Sequence, residues 1–326
     1  MTVTPQFLRL PLASQKENFH QINELEAARI KQGLRHPGES DWAVNDGTDK
    51  RNASRNRYAN VFPYNSSRVR LPVVGDGASD YINASYVRLS EESFNEYIAA
   101  QGPLENTVNQ FWSMAYNESE KQNNDVVLIV MVTPLTESGM IKCDKYWPDK
   151  ENPTLDLSHS NKKDSIDIPE LQVNYIKESY DDVGDFLLTE MELVSPTKTK
   201  KVYHFYYYKW ADARVPPSLY PLLYLSEEIN AIRKLAVNAP TPIVHCSAGV
   251  GRTGTFIAID HLFKDFDKFI KLCEKAKASK EYDVVYDPIF QTVLQMREKR
   301  MMMVQTAYQF GFLYDSAKGL YKDRFQ

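Results

Sequence analysis

The chain has 326 residues, of which 43% are hydrophobic and 25% charged, with a formal net charge of −4. That length carries one large domain with a substantial core, and 20 Tyr with 15 Phe exclude a disordered chain. The mildly acidic balance excludes a general nucleic-acid-binding footprint.

Taken in order, residues 15–34 are rich in Glu, Gln, Lys and Ala, with apolar Phe19, Ile22, Leu25 and Ile30. This pattern predicts an amphipathic helix and a helical extension over 1–50, packed on a main domain of 51–326. Residues 36–56 are Gly-, Asp-, Asn- and Arg-rich and read as a connecting loop. Short strand-like pieces with turns follow over 58–86. A strand is predicted at 97–100, a helix at 108–118 and a strand at 126–132. The last is a continuous β-branched run, as expected of a strand covered on both faces. Another strand is expected over 141–147 and a polar loop insertion over 149–168.

Segments 171–175, 186–193 and 202–210 alternate as antiparallel strands. Residues 222–237 read as a helix, 276–287 as a second polar insertion, and 289–300 and 307–321 as closing helices. The fold expected is α/β (α+β): a single domain with a highly twisted mixed sheet flanked by helices. The opening residues show no charged region ahead of an apolar stretch, and the strongest apolar run is only strand-length. No membrane segment is expected. Three cysteines (Cys143, Cys246, Cys273) without CxxC spacing indicate a reducing, cytoplasmic location. The six histidines show no HxxxH or HxH spacing, so neither metal nor cofactor is expected. Nothing signals oligomerisation, and a monomer is expected.

The most informative stretch is 241–262, TPIVHCSAGVGRTGTFIAIDHL. An apolar run ends at His245-Cys246, a loop with two glycines and Arg252 follows, and a helical pattern begins at once. A loop between a strand and a helix is an anion site, because its amides and the first N–H groups of the helix lack other partners. A cysteine on its floor is expected as a thiolate, the apparatus for attack on phosphorus. Lowering a thiol from about 8.5 to about 5.5 takes about 4 kcal/mol. The helix terminus gives only ~1–2 kcal/mol, so the amides and Arg252 must supply the rest. Cys143 and Cys273, by contrast, read as small buried hydrophobes. The spacing Gly249 to Gly254 imitates a nucleotide-binding loop, but Thr255 stands where that motif needs lysine.

Six segments in order, RNRYANVFPY, DYINASY, YIAAQGPL, KCDKYWP, HCSAGVGRTG and MVQTAYQF, resemble the classical protein tyrosine phosphatases. The resemblance spans roughly residues 50 to 320 and is greatest to small soluble fungal members. It implies hydrolysis of protein phosphotyrosine through a phosphocysteine on Cys246, with phosphotyrosine proteins as partners. Arg252 would grip the phosphoryl oxygens as a planar fork. Ser247, Ala248, Gly249, Val250 and Gly251 would bind them through the loop, and Thr253 would help the sulfur leave. Asp212 would be the general acid and then base on a mobile loop. Two residues depart from the family there: Ala211 replaces a proline and Ala213 an aromatic. Tyr58 would wall a deep pocket, and Asn60 stands where an aspartate often anchors the substrate backbone. Gln305 and Gln309 would position the hydrolytic water, Gln309 being the preferred candidate. Glu137, Lys142 and Arg297 would brace the site, Met302 would narrow its rim, and His245 would orient the loop. The alternative reading is a phosphotyrosine-binding module with little turnover, supported only by Ala211, Ala213 and Asn60.

Overall fold

Strand β4 (Val126–Met131) lies near the middle of a nine-stranded sheet in the computed structural model, which describes residues 4–89, 95–158, 165–277 and 281–325. Its alternate side chains serve two different cores. Leu128, Val130 and Val132 join one cluster, and Val127, Ile129 and Met131 join the other. A β-branched run is therefore what this position requires, since both faces are dry.

The remaining strands are β1 (Arg68–Arg70), β2 (Tyr81–Arg88), β3 (Glu96–Ala100), β7 (Thr154–Asp156), β8 (Gln172–Asp181), β9 (Phe186–Val194), β10 (Thr199–Tyr206) and β11 (Ile243–His245). Their order is β1-β2-β3-β11-β4-β10-β9-β8-β7. The centre, β3-β11-β4-β10, is parallel, and both wings are antiparallel. A two-residue hairpin, β5 (Thr136–Glu137) with β6 (Met140–Ile141), stands apart.

Helix α3 (Val108–Lys121) packs on one face through Phe111, Trp112 and Met114. The other face takes α1 (Leu12–Arg35), α4 (Tyr220–Leu235), α5 (Gly251–Phe263), α6 (Phe266–Lys277), α7 (Pro288–Lys299) and α8 (Ala307–Phe325). Among them α5 is buried on nearly every side, and even its polar residues Arg252, Thr253, Thr255 and Asp260 are enclosed. It starts directly beyond β11, placing its N-terminus at the carboxyl end of the parallel strands, where open α/β sheets bind ligands.

Several local expectations differ from the structure. Residues 36–56 hold a short α2 (Asn45–Thr48) and a 3-10 turn, Lys50–Arg55, capped by Asp49 accepting from the amide of Arg51 at 2.9 Å. The strand expected at 141–147 shrinks to β6. Beyond it, the amides of Lys142 and Cys143 both donate to the carbonyl of Leu135, and the Trp112 indole takes the carbonyl of Tyr146 at 2.7 Å. Those backbone groups are thus committed elsewhere, and the aromatic side chains rather than strand pairing hold the segment. The strand expected at 202–210 ends at Tyr206. The first polar insertion contributes edge strand β7, with 159–164 outside the described residues. Helix α6, and the turn Val284–Tyr286 inside the second insertion, were not anticipated.

Candidate active site

The loop after β11 wraps its amides around sulfur. Cys246 is 3% exposed, and the amide of Gly249 donates to its Sγ at 3.3 Å. Burial pushes the thiol pKa up. The Arg252 charge, the Thr253 hydroxyl and the amides of Thr253 and Val250 outweigh it and bring the pKa below the ordinary value. The Thr253 hydroxyl has no conventional hydrogen-bond partner although buried, which leaves it free to turn toward the sulfur. Gly249 has φ of +71°, and a Cβ there would stand 2.1 Å from the carbonyl oxygen of Ala100. Only glycine permits that conformation and that closeness.

Arg252 is 1% exposed and leads out from the first turn of α5. Its Nη1 donates to the carbonyl of Trp210 at 2.8 Å, and Nη2 meets Asp212 Oδ1 at 3.2 Å. Its Nε is buried without a partner. Glu137 lies 3.8 Å from Nη1 and accepts the amide of Asp212 at 2.9 Å, so it braces the arginine and the acid loop together. Asp212 also pairs with Lys142 Nζ at 2.9 Å. Burial pushes the Asp212 carboxyl pKa up, but the Lys142 hydrogen bond and the Arg252 charge hold it below the usual range. The loop is further docked by the Trp210 indole on the carbonyl of Arg214 at 2.8 Å. Ala213, in place of an aromatic, takes φ of +55°, a left-handed conformation that a residue with a Cβ adopts at some cost.

These groups surround a cavity of about 500 Å³ with Cys246 on its lining. Ser247, Ala248, Gly251 and Arg252 line it from the loop and first turn of α5, and Arg57, Tyr58, Asn60, Val61 and Leu104 from earlier in the chain. Met140, Ile141, Lys142, Asp212 and Gln305 complete the lining. The hydroxyl of Ser247 donates to the carbonyl of Lys142 at 2.7 Å, so the 2.8 Å contact with Tyr58 is a hydrogen bond donated by the phenol. That bond ties Tyr58 to the loop that carries Cys246. Gly249, Val250 and Thr253 are outside the cavity lining, and all three serve the sulfur.

The two glutamines separate. Gln305 faces the cavity, whereas Gln309 is fully buried and its Oε1 accepts the amides of Gln305 at 2.9 Å and Thr306 at 3.2 Å. Gln309 thus spends its carbonyl on the start of α8, and its Nε2 reaches the carbonyl of Arg214 at 3.4 Å. Met302 packs beside Val44, Tyr64 and Met301, outside the cavity lining.

Sequence reasoning missed the main brace of the loop. Arg300, wholly buried, donates from Nε to the carbonyl of Gly249 at 2.8 Å and from Nη2 to the carbonyl of Ala248 at 3.0 Å. Turning these carbonyls outward leaves the amides facing the anion site. Burial brings the Arg300 pKa down to about 10, so it stays charged at neutral pH. Arg297, the residue expected there, binds the carbonyls of Met303 and Val304 instead. A run of two arginines within four positions gave no signal as to which would reach the loop.

His245 is fully buried next to Cys246. Its Nδ1 contacts the carbonyl of Cys246 at 3.1 Å and its Nε2 the Tyr146 hydroxyl at 2.7 Å, which also meets His204 Nε2 at 2.8 Å. Burial lowers the His245 pKa from 6.5 to about 4. The unfolded chain therefore binds a proton that the folded one refuses. Stability should fall as pH drops below about 6.5, by about 2 kcal/mol from this group alone by about pH 5. Urea unfolding midpoints that stay level from pH 7 to 5 would contradict this.

Comparison with known proteins bears on the family. The family model described as protein-tyrosine phosphatase matches residues 52–318. Tyrosine-protein phosphatase 1 of Saccharomyces cerevisiae is 36% identical, covering 98% of each chain. Tyrosine-protein phosphatase 2 of Schizosaccharomyces pombe is 34% identical over 91% of this chain and 38% of its own. Among solved structures, PTPN18 in complex with HER2 phosphopeptides superposes with a TM-score of 0.72 at 27% identity, covering 95% of this chain and 94% of that one.

Proposed function

Because the chain belongs to the protein-tyrosine phosphatase family, we propose that it hydrolyses protein phosphotyrosine in two steps through a phosphocysteine on Cys246. In the first step the Cys246 thiolate gives its electron pair to phosphorus. The bond from phosphorus to the tyrosyl oxygen breaks, and Asp212 delivers a proton to the departing phenolate. In the second, a water loses a proton to Asp212 and attacks phosphorus. The S–P bond breaks, inorganic phosphate leaves and the thiolate is restored.

Throughout, the Arg252 fork and the loop amides meet the phosphoryl oxygens, and their donors suit the charge that spreads over those oxygens in the transition state. The observation that carries this reading is a buried sulfur of lowered pKa, on the lining of a cavity that also holds Arg252 and Asp212. Gln305 is assigned as the residue that positions the water, since it faces the cavity. Gln309 holds Gln305 in place through the amide-to-Oε1 bond. The binding-module alternative is disfavoured, because nucleophile, fork and acid stand together with the acid loop docked.

Cys246 is 3% exposed and Tyr58 lines the same cavity, which supports a deep reacting centre. A phosphorylated phenol spans that depth and a phosphorylated serine or threonine side chain does not. Peptides of identical sequence carrying phosphotyrosine should exceed their phosphothreonine versions in kcat/KM by roughly 10²-fold or more. Equal values would count against this assignment.

A further inference from the structure

Helix α1 lies outside the stretch that the family model matches, yet it reaches the machinery that serves the second step. Phe19, Asn23 and Glu26 are spaced i, i+4, i+7 and share one helical stripe. All three meet Arg297 of α7. Its guanidinium lies over the Phe19 ring at 5.5 Å, and its Nη1 contacts Asn23 Oδ1 and Glu26 Oε1, each at 3.1 Å. Glu26 is only 6% exposed, and its second oxygen accepts the amide of Met302 at 2.9 Å.

The turn so held is strained. Met302 has φ of +61° and Val304 φ of +58°, left-handed values that are unusual for any side chain and most of all for β-branched valine. Such a turn persists only where its surroundings over-determine it. Arg297 supplies part of that, donating to the carbonyls of Met303 at 2.6 Å and Val304 at 2.9 Å. The turn in turn touches the anion site: the amide of Val304 donates to the carbonyl of Val250 at 3.2 Å. A Cβ on Gly254 would stand 2.5 Å from that same amide nitrogen. The next residue is Gln305.

We propose that Glu26 is a positioning residue for hydrolysis of the phosphoenzyme. Through Arg297 and the Met302 amide it fixes the turn that sets Gln305 against the signature loop. The N-terminal helix is then a working part of the catalytic unit. This inference rests on the two-step reading above.

The test is rapid-mixing kinetics with p-nitrophenyl phosphate on the full chain, comparing wild type, Glu26→Gln, Glu26→Ala, Gln305→Ala and the double variant Glu26→Gln/Gln305→Ala. Glutamine keeps an acceptor for the Met302 amide and loses the charge opposite Arg297, so it should be milder than alanine and guards against loss of folding. Expected for Glu26→Gln is a nitrophenol burst at the wild-type rate, with kcat lower by roughly tenfold and little change in substrate affinity. The double variant should be no slower in the second step than Gln305→Ala alone. Wild-type kcat in both Glu26 variants would overturn the proposal. So would an equal fall in the burst rate, or losses that multiply in the double variant. A failure of the two-step reading itself looks different: no phosphoenzyme forms in any variant, wild type included.

Discussion

Cys246→Ser should lower kcat on the order of 10⁵-fold, while phosphotyrosine peptides still bind. A serine hydroxyl would enter the same cradle but would need a base to take its proton, and the adjacent His245 is not free to serve. The His245 Nδ1 faces the carbonyl of Cys246, and its Nε2 is engaged by the Tyr146 hydroxyl. The loop lowers the pKa of a thiol without any base, through Arg252, the Thr253 hydroxyl and two amides acting against the cost of burial. The same field is too weak to ionise an alcohol. The check is steady-state turnover together with binding of a phosphotyrosine peptide by calorimetry. Substantial turnover in the serine variant would place the nucleophile elsewhere.

Asp212→Asn should reduce kcat by about 10²- to 10⁴-fold, with KM unchanged or lower. The sign of the KM effect follows from the free enzyme. There Asp212 occupies Arg252 at 3.2 Å and Lys142 at 2.9 Å, so an incoming phosphate competes with a carboxylate for the fork. Asparagine removes that competitor. The same contacts hold the Asp212 pKa low without ligand, whereas a general acid must carry its proton. A phosphate dianion draws Arg252 to itself and adds negative charge nearby, and both effects raise the Asp212 pKa. The descending limb of the single-turnover phosphorylation rate, which reports the complex, should therefore lie above the Asp212 pKa measured in the free enzyme. In Asp212→Asn that limb should vanish. A raised KM, or a limb that survives the substitution, would contradict the role.

The nucleophile loop was legible because its chemistry is local. Strand, cysteine, glycines, arginine and helix are contiguous, and the structure keeps them in contact. The β-branched run of β4 was legible for the same reason, since burial on both faces leaves a simple pattern. What escaped depends on long-range contact. Arg300 and Arg297 differ by less than one helical turn, yet one holds the signature loop and the other the neighbouring strained turn. Glu26 reads as one more charge on an amphipathic helix until the fold brings α7 against it. Lys142 to Trp147 has a strand's composition, but its backbone groups are claimed by Leu135 and Trp112. Gln305 and Gln309 sit in one motif, and the resemblance alone favours Gln309. Which of them faces the cavity is decided by the helix start that Gln309 caps.

The most direct test is to catch the intermediate. Wild-type enzyme is mixed with a phosphotyrosine peptide, quenched within a single turnover by denaturation, and mapped by peptide mass spectrometry. The account predicts one phosphoryl group on the peptide containing Cys246, appearing before free phosphate and absent from Cys246→Ser. Phosphate released at full rate with no adduct, or an adduct on any other residue, would contradict it.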